Sequence, residues 1–341
     1  MKRYMLVLLV IGYSFGQEWS SLSFINFTHQ QRELLKNHRY MIFKKDLNLL
    51  ATQILFSWNM FRPEVGYYTF YMQVHSATNN RWGNWIKIAE WGKDVQRSFE
   101  RKYDLEPSFF FVRWQMLPSE VVDEVRIKVQ AENGASLKSL YRLAITSIYD
   151  PAFSSEHGQG KRFEASSFVI KNIPPISQME VNHKDRNRIC SPTALSMVAS
   201  YLNGNYEDPE NFVEGVYDHG LQTYGSWPFN VAHAFDHCKG RFYFSVTRLN
   251  SFKELYHYLE NRMPVVVSVR GSLKTMPLGK TYEDGHLLVV AGWDNEKKEV
   301  ICYDPAFALK RQVLHRYDID EFLKAWERSK RLSYVIEPHL E

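Results

Sequence analysis

Three residues far apart in the chain are of the types that together perform nucleophilic acyl chemistry: Cys190, His286 and Asp304. A thiol attacks a carbonyl as its thiolate, a neighbouring imidazole takes the thiol proton, and a carboxylate holds the imidazole in the productive tautomer. Cys190 opens the run Cys190-Ser191-Pro192-Thr193, in which Ser191 suits a helix N-cap and Pro192 the first helical position. The thiol is therefore expected at a helix N-terminus, where unpaired amides and the helix dipole favour the anion. His286 follows Gly285 and leads the apolar run Leu287-Leu288-Val289-Val290-Ala291, so an imidazole stands at the exposed mouth of a buried strand. It needs a polar partner there. Asp304 closes the next apolar run, Val300-Ile301-Cys302-Tyr303. A hairpin turning at residues 294–297 brings that strand end beside the strand start, and Asp304 beside His286. Gln178, 12 residues ahead of Cys190, offers a side-chain amide that could join the Cys190 N–H in binding a tetrahedral oxyanion. This chemistry needs neither a metal nor an organic cofactor.

Each residue alone has an ordinary use: a buried inert thiol, a satisfied core histidine, a turn-forming aspartate before Pro305, a loop glutamine. Their order and their placement on compatible elements favour the joint reading. The runs Gln178-Met179, Cys190-Ser191-Pro192-Thr193-Ala194-Leu195-Ser196-Met197, Gly285-His286 and Tyr303-Asp304-Pro305 together resemble the double-glycine leader peptidase-like family. The resemblance runs from about Ile173 to Glu341. It implies a papain-like cysteine peptidase fold there, with Cys190 as nucleophile, His286 as base, Asp304 as orienter and Gln178 as oxyanion donor. Residues 181–189 separate the glutamine from the cysteine by more than in leader-processing members. What carries over is the fold and the thiol chemistry rather than a leader substrate.

The elements that must position these residues differ between the two halves. Short runs rich in aromatic and β-branched residues occur at 53–57, 67–74, 84–89, 109–114, 125–131 and 141–148, punctuated by Asn, Asp and Gly. Several alternate, as in Arg126-Ile127-Lys128-Val129. The pattern predicts an antiparallel β-sandwich of immunoglobulin or fibronectin type over residues 17–150. Residues 151–172 read as an exposed connection. Residues 173–341 read as α+β, with helices at 192–202, 209–220, 228–238, 252–261 and 319–329 and strands at 241–247, 265–269, 286–293, 299–304 and 332–336.

Bulk properties bound the rest. With 341 residues, 45% hydrophobic and 23% charged, the chain has room for two folded domains. Residues 1–16 have the layout of a cleavable secretory signal: Lys2 and Arg3, an apolar run, then Ser14 and Gly16. A secreted, periplasmic or cell-envelope location is therefore expected. Losing Lys2 and Arg3 with that segment, which holds no acidic residue, takes the formal charge from +4 to +2. No basic face suited to nucleic acid is expected, and no stretch has the length of a stable membrane span. Three cysteines, Cys190, Cys238 and Cys302, allow one disulfide and leave one free thiol. His233 and His237 are four apart beside Cys238, but without the metalloprotease glutamate they read as a structural helix face. Trp82, Trp85 and Trp91 suit either sandwich packing, the commoner use, or sugar stacking.

The expected function is an exported thiol hydrolase that cleaves a peptide or amide bond through an acyl-enzyme on Cys190. The first half would meet a surface, glycan or protein partner. Two rivals use the same residues: a catalytically inactive binding protein on the peptidase fold, and an acyl- or peptidyltransferase.

Overall fold

The computed structural model describes residues 18–101, 107–273 and 281–340; the expected secretory signal at residues 1–16 lies outside the described residues. The first half holds β1 (Ser20–Asn26), α1 (His29–Leu35), β2 (Tyr40–Ala51), β3 (Gln53–Met60), β4 (Tyr67–Ser76) and β5 (Arg81–Trp82). It continues with β6 (Ile86–Gly92), β7 (Gln96–Ser98), β8 (Ser108–Phe110), β9 (Arg113–Gln115), β10 (Val122–Glu132) and β11 (Leu140–Ile148). These form two antiparallel sheets, ordered β1-β11-β3-β9-β8 and β2-β10-β4-β6-β7, with β5 hanging from β4.

The alternation seen in the sequence is what makes the two sheets share a core. Val125, Ile127 and Val129 of β10 point inward with Phe70 and Met72 of β4, and meet Ile54, Phe56 and Trp58 of β3. Trp91 is fully buried in that core, whereas Trp82 and Trp85 are partly exposed, with the Arg126 guanidinium 3.7 Å above the Trp82 ring. β1 and β2 were not anticipated. In β2 the charges Lys44, Lys45 and Asp46 interrupt any apolar run, and the strand is an edge, where charge opposes pairing with other chains.

The second half holds β12 (Phe168–Val169), α2 (Cys190–Asn203), α3 (Pro209–Val216), α4 (Trp227–His237), β13 (Phe242–Arg248) and α5 (Phe252–Glu260). β14 (Val265–Gly271), β15 (Tyr282–Asp294), β16 (Glu299–Tyr303), β17 (Leu314–Asp318), α6 (Ile319–Arg328) and β18 (Leu332–Pro338) complete it. Its antiparallel sheet has the order β13-β18-β14-β15-β16-β17, with β12 on β15, and helices pack against it. This is the mixed α/β arrangement the sequence predicts for this half. Helix starts follow the local signals: Asp208 caps α3 by accepting from Glu210 N, and Asp318 caps α6 by accepting from Asp320 N and Glu321 N.

The halves meet along β13. This strand pairs with β18 on one side only, so its other backbone edge needs partners. Polar side chains of β3 and β11 supply them. Asn59 donates to Phe244 O at 3.0 Å and accepts from Phe244 N at 2.8 Å. Ser57 Oγ accepts from Val246 N, and Thr146 Oγ1 donates to Val246 O. β3 is thus buried on both faces, apolar side chains on one and polar ones among those on the other.

Residues 151–172 are largely solvent-facing and are tied down along their length. Arg331 donates to Ser154 O, Glu156 N donates to Glu327 Oε1, and Gly160 N donates to Asp320 Oδ1. Phe163 packs edge-on to Phe252 and Trp293. β12 then pairs with β15 at Gly292, where a Cβ would lie 2.4 Å from Phe168 O, so only glycine allows the approach.

Candidate active site

α2 begins at Cys190 itself. Ile189 occupies the N-cap position without a side-chain bond, so Ser191 is not the cap the sequence suggests. The Ser191 hydroxyl turns inward instead, donating to Asn230 Oδ1 at 2.8 Å and lying 3.0 Å from Tyr334 OH. A fully buried hydroxyl requires such partners. Asn230 in turn donates to Tyr224 O and Ser226 O, so the turn bearing Cys190 is bound to α4, to β18 and to the loop ahead of α4.

His286 lies inside β15 rather than at its exposed mouth, and is 3% exposed. The strand starts earlier than expected because residues 282–285 continue it, with Tyr282 opposite Gly271 and a register shift between Val269 and Gly271. Gly285 takes φ +93, a conformation that other residues rarely adopt, immediately before the histidine. Asp304 is the first residue beyond β16 and is fully buried. The hairpin brings the two together as the spacing predicts: His286 Nε2 donates to Asp304 Oδ1 at 2.7 Å. The Nδ1 edge of the ring is left free of Asp304, and the Cys190 side chain interacts with the same imidazole.

The electrostatics follow from these contacts. Burial alone would push the Cys190 thiol up, but the His286 bond and charge, with the Leu287 and Ser191 amides, outweigh it and lower its pKa. Burial alone would lower His286, but the Asp304 charge and hydrogen bond, reinforced by Cys190, raise it to about 10. Asp304 is held below its usual range against its own burial by His286, by the Ala306 N–H and by Tyr317. Both shifts favour the thiolate–imidazolium form of the pair over the neutral one, with the Asp304 carboxylate behind the imidazole. Cys190 is partly buried, whereas Cys238 and Cys302 are buried; all three are free thiols. Burial raises Cys238 to about 12 and Cys302 well above the ordinary thiol value, so neither competes as a nucleophile.

Sequence reasoning missed two tyrosines. The Tyr317 hydroxyl donates to Asp304 Oδ2 at 2.7 Å and Tyr282 donates to the same oxygen at 3.1 Å, while Ala306 N donates to Oδ1. The Tyr282 ring also stacks on the His286 ring, with centroids 4.1 Å apart and planes 20° from parallel. No spacing rule links these positions. They converge because β15, the end of β16 and β17 are neighbours in one sheet.

Gln178 sits on a 3-10 turn (Gln178–Glu180) that hangs from the Asp304 segment through Gln178 N donating to Pro305 O at 2.9 Å. Its side chain is buried, with Nε2 donating to Arg186 O at 2.8 Å and Oε1 lacking a hydrogen-bond partner. Residues 181–189 thus orient the Gln178 amide from within the interval that separates it from Cys190. His233 and His237 behave as a helix face. His233 is packed against Phe212 and depressed to about 3 by burial, and His237 contacts Glu207 at 2.6 Å. Among the described residues there is no group of three or more metal-ligating side chains.

Residues 170–334 match the model of the Peptidase_C39 like family. The match spans just under half of the chain and lies within its second half. This half is similar to a solved protein described as a C39-like peptidase from Bacillus anthracis, at 16% identity and TM-score 0.39, covering 52% of this chain and 100% of that one. It is also similar to xylellain, a cysteine protease from Xylella fastidiosa, at 11% identity and TM-score 0.28, covering 52% of this chain and 92% of that one. No curated protein matches the chain.

Proposed function

We propose that the protein is an exported cysteine peptidase that hydrolyses an amide bond through an acyl-enzyme on Cys190. The observation that carries the reading is the His286–Asp304 hydrogen bond at 2.7 Å, with the Cys190 thiol lowered by that same imidazole and the imidazole raised. In the cycle, the Cys190 thiolate attacks the carbonyl and the Cys190 N–H receives part of the oxyanion charge, with Gln178 as the second donor. The imidazolium of His286 protonates the leaving amine, and the neutral imidazole then activates water to release the acid. The first half, two sheets sharing one core, is read as an immunoglobulin- or fibronectin-like sandwich that presents the peptidase half to a surface, glycan or protein partner. Export rests on the composition of residues 1–16.

The test is trapping. Incubated with a peptide library, the wild type should release peptides and carry a transient acyl mass on Cys190, and Cys190→Ala should do neither. If peptides disappear equally with both, the assignment fails. Added amines would divert the acyl group if the enzyme were a transferase, so product masses with and without them distinguish the two uses of the site.

A further inference from the structure

We infer that Tyr282 is a positioning residue for the Cys190–His286 pair: its ring fixes the plane of the imidazole, and its hydroxyl occupies Asp304 Oδ2 so that Oδ1 is left to the histidine. The inference rests on the thiol chemistry proposed above and deepens it.

An imidazole pinned at Nε2 alone can still swing about that bond and carry Nδ1 away from the sulfur. Here a second aromatic plane lies 4.1 Å from the first and nearly parallel to it, which blocks that swing from one side. A π face is also attracted to the protonated ring, the form that pairs with a thiolate. The same side chain reaches past the histidine to Asp304 at 3.1 Å. Two phenols on Oδ2, from Tyr282 and Tyr317, keep the carboxylate from rotating, and Ala306 N shares Oδ1 with His286. The two tyrosines are not equivalent. Tyr317 is fully buried on β17 and contacts Asp304, while Tyr282 contacts both His286 and Asp304 and remains partly exposed.

The titratable groups around the pair come from several elements: Cys190 of α2, Tyr282 of β15, Cys302 of β16, His315 and Tyr317 of β17, and Tyr334 of β18, which faces Cys190. A pH readout therefore needs a control within this set, and Tyr317→Phe provides it.

The experiment measures the rate of Cys190 alkylation by iodoacetamide from pH 4 to 10 in the full chain; the buried, raised Cys238 and Cys302 stay silent. For the wild type, alkylation should persist well below the pH at which an ordinary thiol ionises. Tyr282→Ala should move the ionisation upward so that alkylation at pH 6 falls about tenfold, one pKa unit, with recovery above pH 9. Tyr282→Phe keeps the stacked ring and should lose less than threefold, as should Tyr317→Phe. Tyr282→Leu, apolar but not planar, should behave as the alanine variant and serves if that variant does not fold. A folded Ala or Leu variant whose profile overlays the wild type overturns the inference alone. A wild type that alkylates like a free cysteine overturns the proposed function as well.

Discussion

Asp304 shows how much one side chain can be asked to hold. Its four hydrogen bonds all arrive from donors, two at each oxygen. Asparagine has nearly the same shape, but its NH2 either meets the His286 and Ala306 N–H donors or, turned round, forces both phenols to reverse their hydrogen bonds. Asp304→Asn should therefore reduce kcat/KM by at least about 100-fold through loss of the oriented imidazolium, as measured on any substrate found. It should also destabilise the fold by leaving buried donors unpaired. The same pairings set a stability profile. His286, raised to about 10, contributes stability below its unfolded pKa of about 6.5 and loses it as pH climbs toward 10. Cys190, depressed, contributes above its unfolded pKa of about 8.5 and loses that as pH falls toward its lower folded value. The two slopes oppose one another: the imidazole's contribution is lost as pH rises above about 6.5, and the thiol's as pH falls below about 8.5. Urea melts of the wild type and Cys190→Ala across pH 5–10 check this: the variant should lack the acid-side loss assigned to the thiol. At this scale the sequence points to Cys190, His286 and Asp304 as candidates, because residues of reactive type flank or interrupt apolar runs there. It does not show Tyr282 or the inward turn of Ser191, since tyrosine and serine have many uses and only three-dimensional neighbours select one.

Elements divide the work. β15, β16 and β17 bring His286, Asp304 and both tyrosines into one sheet, while α2 delivers the thiol separately and is fastened by Ser191, Asn230 and Tyr334. Hydrophobic runs made most of these elements legible, down to helix starts at Pro209 and Phe252, whereas α2 starts at Cys190, two residues ahead of Pro192. What escaped were segments whose placement is decided by neighbours: the edge strand β2, the short β12, and β17, whose residues alternate between exposed and buried. The paired edge of β13 makes a direct prediction. Asn59→Ala leaves both the N–H and the C=O of Phe244 without their cross-seam partner and should cost about 1–3 kcal/mol in urea unfolding. Asn48→Ala, at the exposed β2 edge, should change little. Gly292→Ala should push β12 off β15, visible as faster amide exchange at Ile170, whose N–H is bonded to Ala291 O.

For the molecule as a whole, the first and second halves share more than a tether. The apolar core of the second half takes in Trp19, Leu55 and Ile148 from the first, and Arg142 forms an ion pair with Glu337 at 2.6 Å. Residues 173–341 expressed alone should expose the β13 edge together with that apolar surface and aggregate on size-exclusion chromatography, where the full chain elutes as a discrete species. A composition break near residue 150 is plain in the sequence; the depth of the seam is not. Nothing in the types of Ser57, Asn59 and Thr146 marks them as the partners of another strand's edge.

The connecting strap has a consequence for the chain's resistance to cutting. Lys161, Arg162 and Lys171 are exposed, so trypsin has access to this segment. A cut after Arg162 leaves the Ser154, Glu156 and Gly160 anchors on one fragment and Phe163 with β12 on the other, and it leaves the β13 seam intact. Nicked protein should therefore run as two bands on a denaturing gel yet stay one particle in native buffer, with Cys190 as reactive as before.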